Sequence, residues 1–262
     1  MCDKFSNINC CRLSNASSSE TGSSSNSVSI NCSPIDCFIV DKFKIILNCN
    51  EKEAIKMDKV WTYIAKNIFE IKKSNTLYNQ YNTTNIKHDL PNACIIRKTN
   101  LRNYLLSYTK SPKIVIIGEA PGYKGCHFSG VPFTSEYQLE NNLVPFNGMR
   151  SSINTPYKEK TATIFWEIMS DYYPRFFVWN CIPFHPHKKG NILTNREPTK
   201  NEILTFSKYL KEILDLLDCD IIISLGRCAQ NSLDNLNIEN DYVRHPSMGG
   251  KSEFVIQIKS YF

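Results

Sequence analysis

Apolar residues along this chain fall into two alternating patterns. Between Asp58 and Lys72, Val60, Trp61, Ile64, Ala65, Ile68 and Phe69 recur at helical spacing, and a second such stretch, Ala93 to Tyr108, carries Ile96, Leu101, Tyr104 and Leu105. A third, Glu202 to Leu217, places Ile203, Phe206, Leu210, Ile213, Leu214 and Leu217 on one helical face. Set among these are short runs rich in β-branched and aromatic residues: Lys113 to Ile117, Arg175 to Asn180 and Asp220 to Leu225. Such runs are too short for buried helices and predict buried strands. Strands alternating with helices imply an α/β fold, a mainly parallel sheet covered on both faces in three layers. Ligands of such sheets bind beyond the carboxyl ends of the strands, so the segments that follow the three runs are where chemistry is expected.

The pattern fails towards the N-terminus. Residues from Ser14 to Ser33 are dominated by Ser and Asn, too polar to bury the surface that would offset the entropy of ordering. The chain therefore divides into a disordered tail (1–36), an N-terminal extension of unknown role (37–75) and one α/β domain (76–262). Eleven cysteines, an odd number at irregular spacing, suit a reducing compartment better than a disulfide scaffold. The first 20 residues lack the apolar core of a signal peptide, and no run of 18 apolar residues occurs. A soluble intracellular protein without membrane contact is the expectation. A net charge of +6 leans towards a polyanionic partner without defining a dense basic patch.

Two segments that follow strands, and a third near the C-terminus, carry candidate chemistry. The first is Gly118-Glu119-Ala120-Pro121-Gly122, then Tyr123, Lys124 and, further on, Pro132-Phe133; it has neither the dinucleotide nor the P-loop glycine spacing. The second is Trp179-Asn180, followed by Cys181-Ile182-Pro183-Phe184-His185-Pro186-His187 and later Asn195-Arg196-Glu197-Pro198-Thr199. His185 and His187 flank a proline and lack a convincing third ligand, so they are read as shaping a loop or touching phosphate, and no metal is expected. The third is Val243-Arg244-His245-Pro246-Ser247-Met248-Gly249-Gly250-Lys251.

Together GEAPG with a following PF, an asparagine closing a strand, and a late HPS resemble the uracil-DNA glycosylase superfamily. The strings GEAPGYKGCHFSGVPFTSE, WNCIPFHPHKKG and VRHPSMGGK are similar to a bacterial-type branch of it. The similarity covers roughly Asp89 to the C-terminus. It implies a central sheet of four to five strands and an enzyme that flips a deaminated base, uracil first, from single- or double-stranded DNA. The base is hydrolysed off to leave an abasic site, as in base excision repair, by a monomer without a cofactor. No lysine stands where a Schiff base would need one, so strand cleavage is not expected.

The resemblance also assigns residues. Glu119, Asn180 and His245 are the implied catalytic set: His245 stabilises charge on the leaving uracil, Asn180 reads its edge, and Glu119 favours the cationic sugar or orients water. Gly118, Ala120, Pro121, Gly122, Tyr123 and Phe133, with Asn180, surround the base, Phe133 by stacking. Lys124, Arg244, Ser247, Gly249 and Lys251 hold DNA, and Met248 is the apolar wedge. The chain departs from the best-known branch at Ala120, where an aspartate helps activate water, and at Gly122, where a tyrosine blocks the thymine methyl. A four-cysteine iron–sulfur branch shares GEAPG, but Cys94 is the sole cysteine closely upstream here, so no cluster is expected; Cys10, Cys11, Cys32 and Cys37 are the alternative ligands. Competing readings are a catalytically inactive or uracil-trapping DNA-binding protein on the same fold, and a small-molecule enzyme on a related sheet.

Overall fold

The computed structural model describes residues 56–262. The Ser/Asn-rich segment and the apolar run that follows it, up to residue 55, lie outside the described residues. Four strands form one parallel sheet in the order β3-β2-β5-β6, with β2 at Ile114–Gly118, β3 at Phe176–Asn180, β5 at Ile221–Leu225 and β6 at Asp241–Val243. Every residue of β2 and β3 is buried, as a strand covered on both faces requires. The expected three-layer α/β architecture is present. Each of the three anticipated strands begins one residue late, because Lys113, Arg175 and Asp220 stay at its exposed start.

The helices follow from the amphipathic stretches. Residues 56–67 form α1, Ala93–Leu106 α2 and Lys200–Leu217 α6. A capping box starts α6: Thr199 Oγ1 accepts the Glu202 N–H while the Glu202 carboxylate accepts the Thr199 N–H. Its face of Phe206, Leu210, Ile213, Leu214 and Leu217 is buried as the spacing predicts. Four further helices, α3 (Cys126–Ser129), α4 (Glu136–Glu140), α5 (Lys160–Met169) and α7 (Arg227–Asn235), link the strands, and α8 (Lys251–Lys259) closes the described chain. A two-residue ribbon, β1 (Leu77–Tyr78) against β4 (His185–Pro186), lies outside the main sheet. Among the described residues no helix is long and apolar enough to cross a membrane.

One boundary differs from the sequence reading, which set residues 37–75 apart from the domain. Met57, Val60, Ile64, Ile68 and Phe69 are buried in the same core as the strands, so the segment 57–69 packs into that core. The helical period was legible, but the partner of its apolar face was not.

Register is what positions the site. Gly118 lies directly opposite Asn180, and Ile117 opposite both Trp179 and Ser224. The carboxyl ends of β2, β3 and β5 therefore open at one level of the sheet.

Candidate active site

At that level the chain leaves the sheet as four loops that enclose a cavity of about 540 Å³, within the ~300–1,000 Å³ usual for ligand sites. Glu119, Ala120, Pro121, Gly122, Phe133, Asn180, Arg244, His245, Ser247 and Met248 all line it. Gly118 sits beneath: a β-carbon there would lie 2.5 Å from the Phe133 ring and 2.7 Å from Asn180 Oδ1. Only a glycine lets β2 end against both side chains. Phe133 itself has a φ of 51°, an uncommon conformation for a bulky residue, of the kind that concentrates at functional sites.

Asn180 is 4 % exposed, and among the described residues nothing hydrogen-bonds its side-chain amide. The turn after β3 is held by the backbone instead, Cys181 N–H donating to Gly118 O. The amide oxygen and NH2 of Asn180 are thus left to the cavity, one acceptor and one donor pair.

His245 is fixed by its own turn. The Ser247 N–H donates to His245 Nδ1 at 3.3 Å, and Ser247 Oγ lies 2.7 Å from the same nitrogen. An accepting Nδ1 places the ring proton on Nε2, making that atom a donor. Burial, with the nearby Arg244 charge adding to it, lowers the histidine to about 4, so it is neutral at physiological pH. Its Cβ packs 3.0 Å from where a side chain at Gly226 would begin, and Gly226 has a φ of 93°. The segment after β5 therefore supplies a glycine floor under the imidazole.

Two carboxyls face the cavity in unusual states. Burial, and secondly the Glu197 charge, raises Glu119 to about 7; burial alone raises Glu159 to about 7. A carboxyl near 7 is poised between proton donor and base at working pH.

Several assigned residues stand apart from the cavity wall. Tyr123 donates its N–H to Asn195 Oδ1, which ties the first loop to the second; Lys124 is exposed with its ammonium over the Tyr123 ring. Lys251 is paired with Glu167 at 2.7 Å on the surface, and Gly249, with a φ of 80°, shapes the turn. Met248 lines the cavity mouth and is 87 % exposed.

Sequence reasoning missed Glu159, Glu197 and Cys228, which also line the cavity. Glu197 had a signal in the Asn195-Arg196-Glu197 segment just ahead of a capped helix. Glu159 had none, because it stands far from the three segments and arrives through the loop before α5. His185 serves the second loop: it is buried, its Nε2 donates to Thr194 O at 2.9 Å, and its Nδ1 accepts from His127 Nδ1 at 2.8 Å. Among the described residues no group of three or more His, Cys, Asp or Glu could hold a metal ion.

Comparison with known proteins agrees with this fold. A search of curated protein sequences finds no match. The crystal structure of wild-type Pedobacter heparinus SMUG2 superimposes with a TM-score of 0.56 at 15 % identity, covering 79 % of this chain and 96 % of that one. The family model of the uracil DNA glycosylase superfamily matches residues 106–258, a span that holds β2, β3, β5, β6 and every loop around the cavity. A match over more than half of the chain, carried by the segments that build the site, shows that this protein belongs to the uracil DNA glycosylase superfamily of DNA glycosylases.

Proposed function

We propose that this glycosylase releases a deaminated base, uracil first, from DNA and leaves an abasic site without cutting the strand. Cleavage of the N-glycosidic bond builds positive charge on the sugar and negative charge on the departing base, so a competent site needs fixed groups aimed at each. His245, neutral with its proton on Nε2, is a donor suited to the developing anion on the base oxygen. Glu119, when ionised, favours the cationic sugar and orients the water that adds to it, a task that falls to it because Ala120 has no carboxylate.

Asn180 reads the base. Its oxygen accepts from uracil N3–H and its NH2 donates to O4, whereas cytosine offers the opposite pattern and would leave buried groups unpaired at ~1–3 kcal/mol each. Phe133 offers a stacking face, commonly worth ~1–3 kcal/mol per base. Extruding the base costs a few kcal/mol, and exposed Met248 fills the gap it leaves, while Arg244 and the Ser247 turn meet the backbone phosphates.

The observation that carries this reading is the free Asn180 amide, facing the same cavity as a donor-form His245 and a carboxyl. Purified protein is incubated with labelled oligonucleotides bearing one uracil, hypoxanthine, xanthine or mismatched thymine, single- and double-stranded, and the products are split by alkali. Alkali-dependent cleavage at uracil is the expected result. Cleavage before alkali would contradict the monofunctional reading, and intact strands on every substrate would contradict glycosylase action itself.

A further inference from the structure

Among the cavity groups that the chemistry above leaves unused is Glu159. Glu159 is the residue that opens α5, a position from which a side chain commonly accepts the helix's free N–H groups, yet its carboxyl makes no such bond. It turns into the cavity instead, against the first loop. A β-carbon at Gly122 would strike Glu159 Oε1, and one at Gly125 would lie 2.7 Å from its Cδ. Two glycines thus leave the space this carboxyl occupies. Its backbone is fixed, the Glu159 N–H donating to Ser135 Oγ at 3.3 Å.

Among the described residues no side chain donates a hydrogen bond to that carboxyl, and no cation is placed to offset it; burial is the sole influence on its titration. The residue is half-buried and lines the cavity, so its carboxyl, partly withdrawn from water and without partners, favours the neutral form and stands open to a ligand. The same wall holds Asn195, whose Nδ2 lies 3.7 Å from the β-carbon position of Gly122, so this rim of the cavity is polar. Glu119 lies elsewhere on the wall, beside Glu197 and Cys228.

We propose that Glu159 is a specificity-determining residue that donates a hydrogen bond from its carboxyl to a carbonyl oxygen of the extruded base, on the rim formed by Gly122 and Gly125. The inference rests on the base-excision reading of the cavity and adds to the Asn180 and His245 contacts a further polar contact to the base. The favoured class is bases with a carbonyl on that rim, the group that deamination creates where the parent base carried an amine. An amine there would have to meet the carboxyl's acceptor oxygen and would leave its O–H without a partner.

The test compares Glu159→Gln, Glu159→Met and Glu159→Ala with the unaltered protein. Single-turnover release is measured from single-stranded oligonucleotides carrying uracil, hypoxanthine or xanthine, with melting temperature alongside. Gln keeps a donor in the same volume, and Met keeps the volume without one. The expected result is that Gln stays within about threefold of the unaltered rate while Met and Ala each lose about tenfold or more on the best base, the scale of one polar contact left unmade. Melting temperatures equal to or above that of the unaltered protein accompany this, since a half-buried carboxyl without partners is removed.

Met matching the unaltered rate on all three bases would overturn the proposal by showing that the carboxyl only fills space. Gln falling as far as Met would overturn it equally, since an ionised group would then be required. Either outcome, with the unaltered protein active, leaves the base-excision reading standing. Inactivity of the unaltered protein on all three bases would remove that reading and this one together.

Discussion

At the scale of single residues, charge state decides what the cavity can do. His245 titrates near 4 and Glu119 near 7, so between those values the histidine is neutral while the carboxyl passes from acid to anion. If ionised Glu119 serves the cationic sugar, the rate rises with pH through about 7, and histidine protonation affects only the far acid end. Glu197 contributes to the raised Glu119 value by charge repulsion. Glu197→Gln therefore lowers it and moves the rising limb to lower pH, with about two- to threefold more activity near pH 6 and little change above pH 8. A pH–rate profile of the two proteins measures this directly, and an unmoved limb would separate Glu119 from the observed titration. His245, Asn180 and Glu119 were legible in the sequence because each sits within a distinctive string, the last two also beside the end of a readable strand. Glu159 was not, since a lone carboxylate in a polar loop has no pattern and acquires its meaning from what folds around it, and Glu197 was marked only by the segment it shares with Asn195 and Arg196.

Secondary-structure elements matter here chiefly through where they stop. The pairing of Gly118 with Asn180 brings two loops to one level, and glycine at the end of β2 allows contact with Phe133 and Asn180 that a side chain would prevent. Gly118→Ala forces both neighbours aside by more than a side chain can absorb in place. We expect a loss of about 10- to 100-fold in single-turnover rate, with a melting temperature lowered by a few degrees and secondary structure unchanged by circular dichroism. Retained rate would mean that the Phe133 and Asn180 positions are not required. The three long strands and the helices α2 and α6 were readable from periodicity. The β6 strand was not: only three residues long and beginning at exposed Asp241, it has neither the length nor the apolar run that marks a strand.

At the scale of the whole molecule, the described residues are held by one core that reaches further towards the N-terminus than the hydrophobic pattern alone revealed. Val60 and Ile64 are wholly buried with the sheet residues Val115, Ile116 and Ile117. Beneath the loops, buried Arg97 pairs with buried Asp89 and donates to Ser151 Oγ at 2.8 Å, anchoring α2 to the segments that flank the site. Ile64→Ala should cost about 2–5 kcal/mol, read as a lower urea midpoint at unchanged slope in a single transition. An unaltered midpoint would show α1 to be a separate appendage.

Convergence of the three strand-end segments on one base site is tested most directly by single-turnover release of uracil from a single-stranded oligonucleotide, with His245→Ala and Asn180→Asp run beside the unaltered protein. The account predicts a loss of at least about 10²-fold for the histidine change, a comparable fall for the asparagine change, and melting temperatures close to the original. Rates unchanged in both variants would contradict it.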